Sequence, residues 1–449
     1  MDGSVQELRR FAGRLRRAAA AWLARARLTW PIRLRLWRRG LPPLPPGRLP
    51  LDDREYRSDH LFLVEQARRL GPIFKTAIAG EMVTCVVDHR RSRALLTANE
   101  SRLGALDAPY SALVPGGFLR TLAGEPHRRM RRIFVQAVRP AIVAAHAAEL
   151  RALTGAALDD LATLGAGAGP ADLVAALDRI ATAMMLVAGY GVRPGEAAFA
   201  QLRDLHARLG PLRFVWKPEA AHRAAHADLM AGVRALLAGR DPIRPSILCG
   251  VAEAAGAAPP PDPVLGNLVT MVEMGREDVR SLFRWIVKYL SDTPAAVAAI
   301  RAEAPARAGS AGLAAATVME TLRLDQSEGV MRKANADVVF EGMTIPAGSF
   351  VRACTRDAHR DPAKFAEPER FDPARFRGRA VGADDYSPFG FDHHICPAGD
   401  LVIGLGAIFV DVLAREFDWQ VAGDGPRHRG FYHWEPSPAF AIRLAPRAP

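Results

Sequence analysis

One cysteine stands in a setting that favours chemistry. Cys396 lies in the stretch FGFDHHICPAG, behind two histidines and directly before a long apolar run. Glycine and proline favour a turn around it, and the run that follows is apolar on all sides, which predicts a buried helix. A helix N-terminus favours negative charge and would lower the pKa of the thiol. The thiolate could then be a nucleophile or an iron ligand, while the plainer interpretation is a small buried thiol.

The neighbouring residues do not favour a nucleophile. A cysteine nucleophile needs a histidine base that a third group orients, and His393 and His394 lie too close in sequence for that geometry in a tight loop. The other cysteines are Cys85, Cys249 and Cys354. Their spacings suit neither a paired zinc site nor a dense disulfide framework. The alternative to an ordinary thiol is therefore a single thiolate with one specific role.

The positive charge of the chain is concentrated at its start. The net charge is +12 over 449 residues, and residues 1–40 carry eleven arginines against Asp2 and Glu7. The remaining residues therefore share only about +3, which is no basic surface for duplex nucleic acid, so we exclude nucleic acid as a partner. The arginines are mixed with tryptophan and leucine, a pattern that predicts a basic amphipathic helix. This arm would lie on an anionic membrane surface or pack on the protein body through its tryptophans.

The rest of the chain is predicted to be mostly helical with a few short hairpins. A proline-rich segment, residues 40–50, separates the arm from the body. Two strand-like runs flank Ala79-Gly80 and predict a β-hairpin, and strands recur in residues 338–353. Residues 142–241 show helical periodicity.

A long helix is predicted from Asp262 to about Leu290. Asp262 would accept hydrogen bonds at the helix cap, and the next residue, Pro263, suits the first turn. No uncharged apolar run reaches the length of about 18–20 residues that a membrane span needs. Few cysteines and no signal peptide favour a cytoplasmic location.

These features combine in a resemblance to the cytochrome P450 family of haem-thiolate monooxygenases. The family signature F-G-x-G-x-H/R-x-C-x-G is similar to the stretch around Cys396, except that Asp392 and Ala398 stand where glycine is usual. The resemblance implies that Cys396 is the axial ligand of the iron of haem b. It also implies that Phe389 and His394 contact the haem, with His394 near a propionate.

Four further segments carry the resemblance, and the first two belong to the family's Glu-Arg-Arg triad. METLRL supplies the family's E-x-x-R pair, Glu320 and Arg323. PERFDPARF follows, with Arg370 as the expected third member of a Glu-Arg-Arg triad that braces the haem loop.

Two basic segments resemble the family's propionate-binding positions. VMRKAN resembles the segment whose arginine, Arg332 here, pairs with a haem propionate. GEPHRRMRRIF resembles the helix on which His127 and Arg131, one turn apart, face a propionate. A basic solvated helix, the plainer alternative, would fit Arg128 and Arg129 better.

The family fold is mainly α, a large helical prism with small β-hairpin sheets. On this resemblance residues 41–449 form a single haem-thiolate catalytic domain, and residues 1–40 form the basic amphipathic arm. This expectation replaces the two or three domains that length alone would suggest.

The long predicted helix departs from the family pattern. In VEMGREDVRSLF, alignment with the family's acid-alcohol pair places Glu277 at the acid and Asp278 where threonine is usual. Because an ionised carboxylate only accepts hydrogen bonds, a proton relay here must use water or a protonated Asp278. The plainer alternative is a set of paired charges on a helix face. We prefer that alternative for Glu273 and Arg284, and a catalytic role for Glu277 and Asp278.

The resemblance implies a haem-thiolate oxidoreductase that activates dioxygen to oxidise a small organic substrate, a secondary-metabolite intermediate by our interpretation. Electrons would come from a separate ferredoxin and ferredoxin reductase. SEGV and EPSPAF, residues 327–330 and 435–440, lie where family members touch substrate. Two alternatives stay open because Asp278 replaces the threonine: a peroxygenase or isomerase, and a non-catalytic haem-binding protein. The expected location is cytoplasmic, with peripheral contact at the inner membrane surface through residues 1–40.

Overall fold

The computed structural model describes residues 29–447 apart from a few short gaps. The gaps are residues 50–53, 107, 213–214, 216, 240–243, 258, 305–311, 327–328, 379, 391 and 431–432. The chain divides into two compact units. The first comprises residues 1–104, 329–358 and 391–393, and the second comprises residues 105–328, 359–390 and 394–449.

Helices make up most of the described chain. They are α1 at residues 29–38, α2 Arg54–Ser58, α3 Phe62–Leu70, α4 His89–Ala98, α5 Gly124–Ala137, α6 Ala141–Ala145, α7 Ala147–Thr163, α8 Pro170–Tyr190, α9 Ala197–Leu209, α10 Ala220–Ala238, α11 Ile247–Ala255, α12 Asp262–Asp292, α13 Pro294–Ala302, α14 Leu313–Thr321, α15 Thr355–Ala358 and α16 Gly399–Glu416.

The strands are short. They are β1 Ile73–Ile78, β2 Glu81–Val86, β3 Leu103–Ala105, β4 Val330–Ala334, β5 Val338–Phe340, β6 Met343–Ile345, β7 Phe350–Ala353, β8 Phe417–Gly423, β9 His428–Arg429, β10 Trp434–Glu435 and β11 Ala441–Pro446. This composition confirms the prediction of a mainly helical fold with small sheets.

The first unit is built on a five-stranded sheet in the order β1-β2-β7-β4-β3. The predicted hairpin at Ala79-Gly80 is confirmed, since β1 and β2 pair antiparallel with Ile78 opposite Glu81. Both turn residues have positive φ, 52° at Ala79 and 80° at Gly80, as a tight two-residue turn requires. The strands predicted in residues 338–353 are also present, as the hairpin β5–β6 and strand β7.

Helix α1 is fixed to this unit by two ion pairs with one carboxylate. Arg35 Nη2 and Arg39 Nη1 lie 2.9 and 2.8 Å from the two oxygens of Asp337. Trp30 and Trp37, two helical turns apart, remain 67% and 76% exposed. The rest of the predicted arm, residues 1–28, lies outside the described residues. The tryptophans of α1 therefore do not serve as its packing surface.

The second unit is organised around α12, which is buried along most of its length. Helix α8 crosses it closely because glycine stands at two contact points. A Cβ on Gly189 would lie 2.7 Å from Val272, and one on Gly275 would lie 2.7 Å from the terminal methyl of Met185. Because neither glycine has a side chain, α12 and α8 approach each other closely at these two points.

The start of α12 differs from the prediction. Asp262 is the first helical residue rather than the cap, which is Pro261, and the Asp262 side chain pairs with Arg234 instead of with the helix N–H groups. The helix ends at Asp292, close to the predicted Leu290.

The helix predicted after Cys396 is confirmed as α16. It begins at Gly399 and is buried over most of its length. Phe409 stacks on Phe283 of α12 with ring centroids 4.1 Å apart. This packing holds the end of the cysteine loop against the central helix of the same unit.

Among the described residues, no single helix has the length and apolar composition of a membrane span, and one bent pair, 124–145 with 147–163, passes the same test. The division into an arm at 1–40 and one catalytic domain at 41–449 remains a prediction.

Candidate functional site

The cysteine loop is a turn closed by its own backbone. Gly390 has φ +92°, a conformation that favours glycine, and the Cys396 N–H donates to the Phe389 carbonyl at 2.9 Å. A Cβ on Gly399 would lie 3.0 Å from the Phe389 ring. Phe389 therefore packs against the start of α16, and the loop presents Cys396 from a fixed base.

Cys396 is a free cysteine with exposed surface. Desolvation by the surrounding protein raises the pKa of its thiol, and the charge of Asp278 adds to this effect. The Ala398 N–H, at the start of α16, lowers that pKa as the sequence predicts, and the charges of Arg131 and Arg120 act in the same direction. The pKa is raised on balance because desolvation is the largest of these effects.

Helix α5 supplies the two basic residues that the sequence singled out. His127 is buried on the inward face, in the i, i+3, i+7 row with Met130 and Phe134. Its ring lies against that of His394, with centroids 4.0 Å apart. Arg131 Nη1 donates to the Ile395 carbonyl at 2.7 Å. The structure thus brings His127, Arg131, His394 and the cysteine loop together.

The outer face of the same helix fits the plainer interpretation. Arg128 and Arg129 are exposed, and Arg128 pairs with Glu125 at 3.0 Å. One helix therefore carries a basic inner pair at the cysteine loop and a basic outer face toward solvent.

Arg120 is a site residue that the sequence reasoning missed. Its charge acts on the Cys396 thiol, and it follows a loop that the buried amide of Asn267 holds in place. Asn267 Oδ1 accepts from the Leu119 N–H at 2.6 Å, and its Nδ2 donates to the Gly117 carbonyl at 3.0 Å. In the sequence, only the Gly116-Gly117 pair, which favours a turn before Arg120, could have drawn attention to this residue.

The helix α12 is buried from Val264 to Leu290 except along two stripes. One is cationic and consists of Arg276, Arg280, Arg284 and Lys288. The other consists of Met271, Met274, Gly275 and Asp278, at helical spacing. Asp278 is the most accessible residue of the second stripe, with 52% of its side chain exposed. Its Oδ1 lies 3.7 Å from His433 Nε2.

Glu277 has different surroundings from its neighbour Asp278. Its side chain is 3% exposed and pairs with Arg280 at 2.8 Å and with Arg276 at 3.4 Å. Asp178 of α8 joins the same group, 2.9 Å from Arg276. The two carboxylates predicted as one catalytic pair therefore lie in separate ion pairs.

Glu273 begins a buried polar chain rather than a solvated helix face. It is fully buried, with His206 Nδ1 at 2.9 Å from Glu273 Oε2 and Tyr190 Oη at 3.0 Å from His206 Nε2. Burial alone would raise the pKa of Glu273, but the hydrogen bonds and charges of His206 and Arg276 outweigh it and lower that pKa. The i, i+3 pair with Arg276 exists as expected, at 2.6 Å, but in the interior. Arg284 is also paired, with Glu435 at 3.0 Å.

The Glu-Arg pair of METLRL is fully buried. Arg323 Nε donates to Glu320 Oε2 at 2.7 Å, and neither side chain is exposed. The third arginine is Arg375, whose Nε lies 3.0 Å from Glu320 Oε1. The prediction of Arg370 is wrong, because its side chain turns outward to Glu367 and only its carbonyl joins the network.

Arg332 lies in the first unit, beside the aspartate that departs from the family signature. Its Nη2 donates to Asp392 Oδ2 at 2.5 Å, and both side chains are largely buried. The acid at the family's glycine position therefore has a specific partner. Whether Arg332 also contacts a propionate stays a prediction.

The residues of the second unit fit a haem. Cys396 is a free cysteine with accessible surface, and the charges of Arg131 and Arg120 act on its thiol, as suits an axial iron ligand. The imidazoles of His127 and His394 and the guanidinium of Arg131 form a donor cluster at the same loop, as two carboxylates require. Helix α12 adds an accessible stripe whose Asp278 is close enough to act on the thiol.

Comparisons with known proteins agree with this site. The family model described as cytochrome P450 matches residues 309–427, the segment from α14 to β8 that includes Glu320 and Cys396. Abscisic acid 8'-hydroxylase 2 of Oryza sativa subsp. indica is 25% identical over 398 residues, which cover 81% of this chain and 78% of that protein. Cytochrome P450 family 716 subfamily AD polypeptide 4 of Melia azedarach is 34% identical over 170 residues, which cover 34% and 36%. The family model, these relatives and the cysteine loop together support a member of the cytochrome P450 family.

Solved structures show the same fold for this P450. The retinoic acid bound cyanobacterial CYP120A1 superposes with a TM-score of 0.71 at 21% identity, covering 91% of this chain and 99% of that one. CYP109Q5 from Chondromyces apiculatus superposes with a TM-score of 0.65, also at 21% identity, covering 88% and 97%. The predicted P450 fold, the haem b cofactor and monooxygenase-type oxidoreductase chemistry are confirmed.

Proposed function

We propose that this P450 activates dioxygen at a haem whose iron is bound by Cys396, and so oxidises a small organic substrate. The observation that carries the proposal is the cluster at the cysteine loop, where the His127 ring lies against that of His394 and Arg131 donates to the Ile395 carbonyl. The electrons come from a separate ferredoxin and ferredoxin reductase.

Each residue of the cluster has a distinct task. When bound, the haem supplies the redox chemistry that activates dioxygen. Cys396 would hold the iron through Sγ. His127, His394 and Arg131 would neutralise the propionates, charges that are costly to bury unpaired. Phe389 packs at the base of the loop, against the start of α16, and would contact the haem.

Glu277 and Asp278 divide the work of proton handling. Asp278 lies on the accessible stripe of α12, where its carboxylate receives a proton and passes it on. Glu277 is buried between Arg276 and Arg280, and Arg276 connects it to Asp178, whose side chain is partly exposed. In this arrangement Asp278 does the work that an alcohol does in the usual acid-alcohol pair.

The outer face of α5 is the proposed docking surface for the ferredoxin. Arg128, Arg129 and Arg132 are exposed there, on the helix whose inner face reaches the cysteine loop. Complementary charge steers an acidic electron carrier and makes its association sensitive to salt. Charge reversal in Arg129→Glu and Arg132→Glu should lower the rate of first-electron transfer several-fold at low salt, with a smaller difference at high salt. An equal rate in the variants would contradict docking on this face.

The substrate is proposed to be a secondary-metabolite intermediate. The relatives are named for hydroxylation of abscisic acid and, in Arabidopsis thaliana, for 23-monooxygenation of 3-epi-6-deoxocathasterone. The polar groups of EPSPAF do not by themselves indicate a polar substrate, because Arg284 binds both Glu435 and the Ser437 carbonyl. In SEGV, residues 327 and 328 lie outside the described residues. Family pockets are mostly apolar, which suits a small organic molecule with few polar groups.

Peripheral contact with the inner membrane surface is proposed for the arm, in a protein that is otherwise cytoplasmic. Trp30 and Trp37 point away from the first unit, and Arg33 and Arg38 are exposed beside them. Tryptophan and arginine together suit an anionic interface. Sedimentation with anionic phospholipid vesicles should carry down the protein but not the variant with both tryptophans replaced by alanine. Equal sedimentation of the two would contradict this contact.

Turnover assays separate this function from its alternatives. With ferredoxin, ferredoxin reductase and NAD(P)H, the protein should form an oxidised product from small lipophilic compounds. Turnover with peroxide alone would identify a peroxygenase, and conversion with neither would identify an isomerase. A haem protein silent in all three assays would contradict the proposed enzyme.

A further inference from the structure

Asp278 has a basic partner that the sequence did not suggest. On the accessible stripe of α12 it is the only charged residue, the others being Met271, Met274 and Gly275. The imidazole of His433 reaches it from the C-terminal hairpin β9–β10, with Nε2 at 3.7 Å from Oδ1. That separation is an ion-pair distance rather than a hydrogen bond. The Asp278 side chain is half exposed, so a water molecule can bridge the two groups.

The hairpin holds His433 firmly over this face of α12. The His433 carbonyl accepts from the Gly430 N–H at 2.9 Å, which closes the turn. The next residue, Trp434, is buried, and its carbonyl accepts from Trp285 Nε1 at 2.9 Å. Trp285 lies two helical turns beyond Asp278 on α12, so the hairpin runs along the same face.

A second tie fixes the hairpin one residue further on. Arg284 of α12 pairs with Glu435 at 3.0 Å and donates to the Ser437 carbonyl at 3.3 Å. Three contacts from one helix therefore place the His433 ring, which is only 16% exposed, beside Asp278.

We propose that His433 and Asp278 form an imidazole–carboxylate dyad that delivers protons to the accessible face of α12. His433 is a positioning residue that acts through Asp278, and Asp278 is the group that faces the reacting atoms. The inference rests on the proposed function, because that function supplies the acceptor of the proton.

The chemistry of the pair supplies what a lone carboxylate lacks. An ionised aspartate only accepts hydrogen bonds, whereas an imidazole both accepts and donates, and it changes charge near neutral pH. In the forward step, protonated His433 gives the proton on Nε2 to Asp278 Oδ1, which leaves a neutral imidazole and a carboxylic acid. Asp278 then gives that proton to the acceptor on the accessible side and returns to a carboxylate, and water reprotonates His433. No electrons move in either step.

The other charged groups nearby are already paired among themselves. On α12, Glu277 is held by Arg276 and Arg280. On the hairpin, Glu435 binds Arg284 and lies 3.9 Å from His428 Nε2. His428 thus lies near Glu435, a carboxylate of the same hairpin, and Glu435 is not part of the accessible stripe of α12.

A separate electrostatic effect agrees with this placement. The negative charge of Asp278 helps to raise the pKa of the Cys396 thiol, an effect that falls off with distance. Asp278 and the Cys396 thiol therefore lie within electrostatic range of each other.

The infrared stretch of carbon monoxide bound to the reduced haem tests the dyad. A proton donor near the oxygen atom lowers the C–O stretching frequency, so the band of the wild type should shift with pH as His433 titrates. Asp278→Asn and His433→Phe should both abolish this pH dependence, while His433→Gln, which keeps a donor, should give a pH-independent band. His428→Phe is the matched control, since it removes an imidazole near a carboxylate in the same hairpin, and it should behave as the wild type.

Two further measurements complete the test. The nuclear magnetic resonance signals of the His433 ring in the purified protein should shift in Asp278→Asn, because the anionic partner is lost. Product formed per NAD(P)H should fall about a hundredfold in His433→Phe, the lower end of the range of general acid–base catalysis. A pH-dependent carbon monoxide band that survives in both Asp278→Asn and His433→Phe, or unchanged His433 ring signals in Asp278→Asn, overturns the dyad. An ordinary Soret band in the wild type would instead contradict the haem-thiolate function, while the His433 ring signals would still decide the dyad.

Discussion

Two arginines of the segment PERFDPARF differ sharply in their surroundings, and the difference has a measurable consequence. Arg375 is 11% exposed and donates from Nε to the fully buried Glu320. Its other guanidinium nitrogens donate to the carbonyls of Ala366, Glu367 and Arg370, at 3.0 to 3.4 Å. The Arg370 side chain is 61% exposed and pairs only with an exposed glutamate three residues away.

The expected costs of alanine substitution follow from these contacts. Arg375→Ala removes a hydrogen bond to a buried charge, worth about 1.5–3 kcal/mol, and leaves the carbonyls of Ala366 and Glu367 to find new partners. We therefore expect a loss of about 3 kcal/mol in the free energy of unfolding. Arg370→Ala removes one surface ion pair, worth about 0.2–1 kcal/mol, and keeps the backbone carbonyl that the network uses. Arg370→Ala is thus the matched control.

Urea unfolding of the haem-loaded protein measures the difference. With a slope of about 3 kcal/mol per molar urea, Arg375→Ala should lower the unfolding midpoint by about 1 M, and Arg370→Ala by less than about 0.3 M. The red-shifted Soret band of the carbon monoxide complex, followed in parallel, should be lost first in Arg375→Ala. Equal midpoints for the two variants, or a larger effect of Arg370→Ala, would refute the assignment of Arg375 to the buried triad.

Three other perturbations test the framework of the site. Asn267→Ala should destabilise the loop before Arg120 by about 2 kcal/mol, because buried backbone groups of that loop lose their hydrogen-bond partners. Amide hydrogen exchange should then become faster in that loop, while the amides of α16 stay protected. Gly250→Ala should lower thermal stability by several degrees, since its Cβ would lie 2.6 Å from the backbone of Ala137 on α5, and wild-type stability would show that this helix can shift. Glu273→Gln should cost stability near neutral pH, and this cost should shrink as the pH falls below the ordinary glutamate pKa. The pKa of Glu273 is lowered in the folded state, so its contribution is present above the ordinary glutamate pKa and is lost as the pH falls through the lowered one. A constant difference between the two proteins from pH 3 to 7 would count against this ionised pair.

The sequence predicted the parts of the site that depend on local pattern. The resemblance of GEPHRRMRRIF to a family helix placed His127 and Arg131 one turn apart, and the structure brings both to the cysteine loop. The continuous apolar run after Cys396 predicted a buried helix, and α16 is one. The second feature follows from the apolar pattern of a helix, which a single sequence shows directly.

The parts that failed depend on tertiary contacts. Arg370 and Arg375 occupy the same short segment, and only the fold decides which guanidinium turns inward. The sequence shows that a helix follows Cys396, and the helix N-terminus lowers the pKa of the thiol. It does not show the desolvation by distant chain segments, which raises that pKa on balance. His433 is about 150 positions from Asp278, so nothing in either neighbourhood indicated that the two would meet.

The visible spectrum of the reduced protein under carbon monoxide tests the central claim most directly. A thiolate-ligated haem gives a strongly red-shifted Soret band, so the wild type should show this band and Cys396→Ala should lose it. Cys249→Ala, which alters a partly exposed cysteine of the same unit, should keep the band. An ordinary Soret band in the wild type, or a red-shifted band that survives in Cys396→Ala, would contradict Cys396 as the iron ligand.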